Sequence, residues 1–578
     1  VQVWAPTSGF LKLAAKRVGL PIGKMRENAL IRRIQPLVDK RMDSILEALN
    51  GSDDFPHRMT HFVDRRILIG LGGLYSGGAE RQALNTIEGL ARRGLDDVHL
   101  LVEHLDPGEA NAFYLEKAQS VTASIVRPAE QRHITHAWAL ARPRFRRVVS
   151  DGLAEGILNR AATIKQLAPE IVHTSLDWTN IATGMAAVLA GVPRVLISGR
   201  NLSPRHFEFF QWFMYPCYQA MAAHPNVHFL NNSEAGRDDY ARWLRLPKDK
   251  ISVLRNGLHT DEFQPVNNVT RAKARKELGI SPQSKVIAGA FRLSSEKRPL
   301  LWIDTAARIR ARYSNAVFLL CGVGNMESCV ETRANELGLG NCLRMLGTRS
   351  DIHTVFSAAD LVMQTSLQEG TPNTLIEAQA MGIPIVTTPA FGAAEAVEHG
   401  VTGLVEPRAT ALNLSAAAIA ILEDQTFSAK ALLSGPRFIE RRFGMARMID
   451  DTLAAYADAG ADWALQLLPE RVRHSRFVEV NDPKREEGHA WVAHLPGLSS
   501  LADETDAPYR SPVGVFEDGV PLGPVHALHE FVRENGCGAF SHWGEYLWFS
   551  SSDNSDIASN GRRYVVAIPR ASADAKAR

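Results

Sequence analysis

Between residue 65 and about residue 387 the chain repeats one local pattern: a short apolar run, a Gly-rich or polar turn, then an Ala/Leu-rich helical stretch. The runs RILIGLGG, VHLLVE, IVHTSLD, RVLISGRN, VHFLNNS and KISVLRNG form a first series. After about residue 265 the pattern restarts with KVIAGAFR, AVFLLCGVG, CLRMLG, LVMQTS and PIVTTP. Apolar runs separated by helices belong to parallel strands covered on both faces. The sequence therefore predicts an α/β fold with two Rossmann-like, doubly wound halves, residues 61–264 and 265–458, and a hinge at Pro265 to Thr270. At 578 residues, 45% hydrophobic and 22% charged, the chain is too long for one core. A helical extension, 1–60, precedes the two halves, and over one hundred residues follow them.

Charge and cysteine usage exclude some classes. Formal net charge is +2, so no overall basic excess draws the chain onto nucleic acid. The five cysteines, Cys217, Cys321, Cys329, Cys342 and Cys537, contain no C-x-x-C pair, which argues against a disulfide framework and a structural zinc site and for a reducing, cytoplasmic setting. No apolar run reaches the roughly 18 residues of a membrane span, and IATGMAAVLAGV, 181–192, reads as a packed helix. The first residues carry a basic bias, Lys12, Lys16, Arg17, Lys24, Arg26, Arg32 and Arg33 against Glu27. That segment reads either as a solvated helix on the main body or as a peripheral foot on the anionic inner face of a membrane.

Open parallel sheets bind ligands beyond the carboxyl ends of their strands, so the turns after strands carry the functional expectation. In LGGLYSGGAERQ, Gly77 and Gly78 leave backbone N–H groups open beside a helix start near Ala79, which suits an anion or a closely approaching sugar. The G-x-G-x-x-G spacing of a dinucleotide site is absent. In AFRLSSEKRP, Arg292 can fork onto phosphate oxygens and Lys297 can add a point charge. In QEGTPNTLIEAQAM, Thr371 reads as an N-cap and Pro372 as the first residue of a helix running to about Met381. Glu369 and Glu377 straddle that helix start. A carboxylate repels phosphate, so each is suited to accept hydrogen bonds from hydroxyls on either side of a diphosphate. Asn256-Gly257 in LRNGLHTDEF is explained by a tight turn alone.

Taken together and in order, GGAER, NNSEAGRDDY, LRNGLHTDEF, FRLSSEKRP and EGTPNTLIEAQAMGIPIVTTPAFGAAEAVEHGVTGLV resemble the retaining GT-B glycosyltransferases of family 4, over residues 63 to 458. The resemblance implies two Rossmann-like domains facing a cleft, with a nucleotide-sugar co-substrate, UDP- or GDP-linked, held mainly by the second and an acceptor held mainly by the first. It implies Arg292 and Lys297 as the diphosphate clamp and Glu377 as the ribose ligand. Glu369 is implied at the donor sugar near the reacting carbon, with Gly370, Thr371, Asn373 and Thr374 lending N–H groups and neighbouring contacts. It further implies metal-independent transfer to a glycan, lipid-linked or protein acceptor with retention of configuration. No Asp-x-Asp pair stands in a matching loop.

The acceptor side departs from the pattern. Many relatives carry a second histidine in a His-x-His turn, where this chain has Ser175 after His173. Asp177 and Trp178 are candidates in its place, with Arg200 and Asn201 in the next turn; the aromatic-rich segment 207–218 reads either as core or as a lip for a lipid-linked acceptor. Residues 471–578 read as a small, mostly β accessory domain with a hairpin at FEDGVPLG. Its Trp543, Tyr546 and Trp548 suit either a carbohydrate-binding face or a β core. His526, His529 and His542 make a metal cluster only if the fold converges them. Two function classes remain: a glycosyltransferase, and a GT-B protein that has lost catalysis and binds sugar or assembles with other enzymes.

Overall fold

The computed structural model describes residue 45 and residues 55–106, 110–129, 151–469, 475–518 and 520–569. The basic run between Lys12 and Arg33 lies outside the described residues. The chain divides into two compact units, Val1–Ala461 and Asp462–Arg578.

The first unit holds two parallel sheets. Strands β1 (Val63–Leu71), β2 (Val98–Val102), β3 (Ser124–Val126), β4 (Pro169–Ser175), β5 (Arg194–Gly199), β6 (Val227–Asn231) and β7 (Ile251–Val253) pair in the order β3-β2-β1-β4-β5-β6-β7. Strands β8 (Lys285–Ala290), β9 (Ala316–Cys321), β10 (Leu343–Gly347), β11 (Leu361–Gln364), β12 (Ile385–Thr387) and β13 (Gly403–Val405) pair in the order β10-β9-β8-β11-β12-β13. The buried central strands produce the apolar runs of the sequence. β3 and β13 give no such run, because each is a three-residue edge strand that is largely half-buried.

Both sheets reverse direction at their first strand, between β1 and β4 and between β8 and β11. Such a switch point leaves a crevice beyond the strand ends. The Gly77 and Ser175 turns lie at the first switch point, and the Arg292 and Glu369 turns lie at the second.

Five helices matter for the site: α1 (Gly78–Ala91), α2 (Asp177–Leu189), α3 (Glu234–Leu244), α4 (Asn373–Ala380) and α5 (Met445–Asp458). α2 contains the run read as a packed helix, and Ile181, Met185, Val188 and Leu189 are buried. Among the described residues no helix is long and apolar enough to cross a membrane. α5 follows the second sheet in sequence but packs on α1 of the first half. A Cβ at Gly89 would come within 2.2 Å of Ile449 Cδ1, and Arg93 pairs with Asp450 at 2.6 Å. The expected hinge is an ordered helix start: Asn267 caps Asn268–Glu277, and Thr270 returns a hydrogen bond to its backbone.

The second unit carries two antiparallel sheets. One consists of β14 (Ser475–Glu479), β21 (Tyr564–Pro569), β17 (Gly514–Glu517) and β18 (Val520–Pro521), and β17 and β18 form the expected hairpin. The other consists of β15 (Lys484–Arg485), β16 (Trp491–His494), β20 (Tyr546–Phe549) and β19 (Phe540–Trp543). Val515, Phe540, Leu547, Phe549 and Val566 lie in its core.

Candidate functional site

The turn after β11 places two carboxylates. Glu369 is 4% exposed, and its Oε1 accepts from Lys297 Nζ at 2.6 Å, Ser366 Oγ at 2.7 Å and Gln364 Nε2. Glu377, on α4, is equally buried and pairs with the Arg81 guanidinium, which projects from α1 in the other half. Each glutamate is thus held by a cation from a different element. Burying a carboxylate without a partner costs several kcal/mol, and each here has a cation. Thr371 is not the N-cap of α4: Pro372 takes that position, and Thr371 Oγ1 donates to the Asn232 carbonyl at 2.7 Å. Thr374 Oγ1 donates to the Ala290 carbonyl at 2.7 Å, tying α4 to the end of β8.

The two halves meet at this turn. Gly77 is the N-cap of α1, and a Cβ at Gly78 would lie 2.8 Å from Asn373 Nδ2, at the first residue of α4. The N-termini of α1 and α4 therefore converge, and both helix ends favour negative charge. A Cβ at Gly370 would lie 2.5 Å from the Arg200 carbonyl oxygen, so only glycine lets these backbones approach. Arg200 Nη2 donates to Asn256 Oδ1 at 2.6 Å, and Asn256 Nδ2 donates to Asn373 Oδ1 at 2.8 Å and to the Thr371 carbonyl at 3.0 Å. Gln82 holds Gly257 by two bonds, accepting from its N–H at 2.8 Å and donating to its carbonyl at 2.9 Å. Arg292 is exposed at the end of β8, and its side chain makes no hydrogen bond or ion pair among the described residues. Glu80, in the first turn of α1, is 6% exposed and lies in the field of Arg292 and Arg200.

The acceptor-side candidates separate. Ser175 is buried at the end of β4. Asp177 is committed to the first half's aromatic core, accepting from Tyr218 OH at 2.7 Å and Tyr240 OH at 2.6 Å, while burial raises its pKa. Trp178 is 45% exposed, its ring edge-on to Phe213 at 5.6 Å. Asn201 turns inward: its side chain accepts from the Leu202 N–H, and its carbonyl accepts from Asn231 Nδ2 at 3.1 Å. His173 is buried, with Nδ1 3.2 Å from Tyr456 OH of α5. Within 207–218, Met214, Cys217 and Tyr218 are core, while Phe209 is 44% exposed and stacks on Phe207.

Arg81, Glu80, Gln82, Asn232 and Asn256 were legible only as motif letters. GGAER draws attention to its glycines and Asn256-Gly257 to its turn, yet the Arg81, Gln82 and Asn256 side chains and the Asn232 carbonyl join the halves. In the second unit, His526 meets the Asp503 carboxylate, His542 meets Ser511 Oγ, and His529 stacks on Trp548 with ring centroids 4.0 Å apart. The histidines therefore do not converge. Trp548 has one face covered, and Tyr546, 47% exposed, is the more open ring.

Two family models match this chain, a glycosyl transferase 4-like domain over residues 77–257 and glycosyl transferases group 1 over residues 270–432. Together they span more than half of it, one on each half. The chain belongs to the group 1 glycosyltransferases, with the GT-B fold. The Salmonella typhi Vi polysaccharide biosynthesis protein VipC/TviE is 29% identical over 374 residues, 61% of this chain and 64% of that protein. An Escherichia coli UDP-Gal:alpha-D-GlcNAc-diphosphoundecaprenol alpha-1,3-galactosyltransferase is 28% identical over 232 residues, 39% of this chain and 59% of that enzyme. The chain thus spans less than two thirds of the length of these curated relatives. Anabaena HepE, solved with UDP and glucose, superposes with a TM-score of 0.55 at 20% identity, covering 68% of this chain and 99% of that one. That likeness shows the GT-B fold. Unlike the group 1 pattern, the second unit lies beyond both matched regions.

Proposed function

We propose that the protein transfers a sugar from a nucleoside-diphosphate donor to a glycan or lipid-linked acceptor, with retention of configuration. The observation that carries this reading is the convergence of two helix N-termini beside Arg292 and Lys297, with two buried carboxylates flanking the same point. Breaking a sugar–phosphate bond builds negative charge on the departing diphosphate, and fixed positive groups that meet this charge lower the barrier. Arg292 makes no ion pair among the described residues. Lys297 is held by Glu369, which aims it. On this reading the diphosphate takes Arg292, Lys297 and the N–H groups of the 370–374 turn, so these groups, with no resident metal, neutralise its charge. The ribose hydroxyls take Glu377, displacing Arg81, and the donor sugar lies at Glu369. Retention fits a departure and an attack on one face of the sugar, since Glu369, the carboxylate assigned to the donor sugar, is held by Lys297, Ser366 and Gln364. The names of the Salmonella typhi and Escherichia coli relatives support polysaccharide or lipid-linked acceptors and a UDP-sugar donor.

The test is a thermal-shift panel of nucleoside diphosphates and nucleotide sugars on wild type and Arg292→Ala. A ligand at one hundred times its Kd stabilises the fold by about 2.7 kcal/mol, so the correct nucleotide raises Tm in wild type and less in the variant. No shift with any nucleotide overturns the transferase reading in favour of a sugar-binding scaffold.

A further inference from the structure

Glu80 is the buried acid of the cleft that the donor assignment leaves unused. It occupies the third position of α1, directly beyond β1 at the switch point of the first sheet. Its carboxylate folds back over Gly77: a Cβ there would fall 2.1 Å from Glu80 Oε2, so a side chain at 77 would displace the carboxylate from this position. The carboxylate meets its own backbone N–H and forms no hydrogen bond or ion pair with another side chain among the described residues. The contrast with its neighbours is informative. Glu369 has Lys297, and Glu377 has Arg81. A buried acid with no cation in ion-pair contact is a costly arrangement that persists at sites of chemistry.

We propose that Glu80 is the general base for the attacking nucleophile. This inference rests on the donor-site reading given above. The acid belongs to the half expected to hold the acceptor, while the other half's first residue at this point, Asn373, lies against Gly78, two residues from it in sequence. Glu80 thus stands on the first-half side of the point where the two helix N-termini meet. In the step, the acceptor oxygen bonds to the anomeric carbon and its proton passes to Glu80. The electron pair of the carbon–phosphate-oxygen bond leaves with the nucleoside diphosphate. Burial raises the Glu80 pKa above the ordinary carboxylate value, opposed by its own backbone N–H and by Arg292 and Arg200, while Tyr114 is the other titratable group in its field. An elevated pKa brings a carboxylate nearer the range in which a base accepts a proton efficiently near neutral pH.

The test uses the full chain and water as the nucleophile: hydrolysis of the nucleotide sugar that gives the largest thermal shift in the panel. Removing a positioned base typically lowers the rate about 10²-fold or more. Glu80→Gln is expected to lower kcat for hydrolysis by that factor, to keep the Tm shift with the nucleoside diphosphate, and to abolish the acid limb of the pH–rate profile. In Glu80→Ala, azide needs no deprotonation, so it is expected to restore turnover and yield a glycosyl azide with the donor's own anomeric configuration. An azide product of inverted configuration would make Glu80 a covalent nucleophile and overturn the assignment. Unchanged hydrolysis in Glu80→Gln overturns it, as does loss of the nucleotide shift together with hydrolysis, which would make Glu80 part of the donor site or the fold. Absence of any nucleotide shift in wild type is a failure of the donor-site reading instead.

Discussion

At the scale of single residues, burial decides which charges are held and which are free. His173 illustrates the energetic consequence. It is 6% exposed between β4 and α5, and burial, helped by the charge of Arg200, lowers its pKa from 6.5 to about 4. Above pH 6.5 the ring is neutral in both folded and unfolded chains and has no effect on the pH dependence. Between pH 6.5 and 4 only the unfolded chain binds the proton, so stability falls as pH falls through that window. At pH 5 the loss is about 2 kcal/mol. His173→Gln keeps a polar partner for Tyr456 and removes the titration. Urea unfolding at pH 7 and pH 5 is expected to show a smaller loss in the variant by about that amount. Equal losses would mean that His173 titrates normally in the folded chain.

At the scale of elements, the turn between β11 and α4 works because Gly370 lets it lie against the end of β5. A Cβ at this position would fall 2.5 Å from the Arg200 carbonyl oxygen and 2.7 Å from Asn232 Oδ1, and a backbone atom cannot swing aside. Gly370→Ala must therefore push the turn off β5, straining the Thr371–Asn232 and Asn256–Thr371 bonds, at a cost of about 1–3 kcal/mol as for other overpacked sites. Titration of the nucleoside diphosphate is expected to show at least tenfold weaker binding with only a modest fall in Tm. Gly152→Ala, where an added Cβ meets nothing within 4 Å, serves as the silent control. Equal affinity in Gly370→Ala and Gly152→Ala would show that the turn does not set the donor site. This element also shows what the sequence could and could not convey. The β11 run, the helix behind it and the glutamates were legible because periodicity and motif spacing are local. Thr371 was assigned as the cap because Thr before Pro suits that role locally; its hydroxyl instead serves Asn232, 139 residues earlier. Arg81 opposite Glu377 was illegible for the same reason, since a partner 296 residues away leaves no local signature.

At the scale of the whole molecule, the first unit is closed on itself by buried polar ties rather than by apolar packing alone. Arg255, 1% exposed after β7, pairs with Glu234 of α3 at 2.6 Å and with Glu395 of the second half at 2.7 Å. The Glu395 carboxylate also accepts the N–H groups of Glu234 and Ala235 at the start of α3. Every residue assigned to the donor site, and Glu80, lies within this unit. The second unit has its own core, around Phe540, Leu547, Phe549 and Val566. Tyr546, 47% exposed, stands beside His494 at 5.2 Å, with Glu545 bonded to that histidine. A ring flanked by a carboxylate and an imidazole suits a sugar better than a nucleotide, whose phosphates the carboxylate would repel. Since every group assigned to donor binding lies in the first unit, donor chemistry is expected to proceed without the second. Deleting residues 471–578 is expected to leave both the nucleoside-diphosphate thermal shift and donor hydrolysis within about twofold of the full chain, because neither requires an acceptor. Loss of hydrolysis on truncation would instead make the second unit a structural part of the catalytic body, since water needs no glycan-binding surface to reach the anomeric carbon.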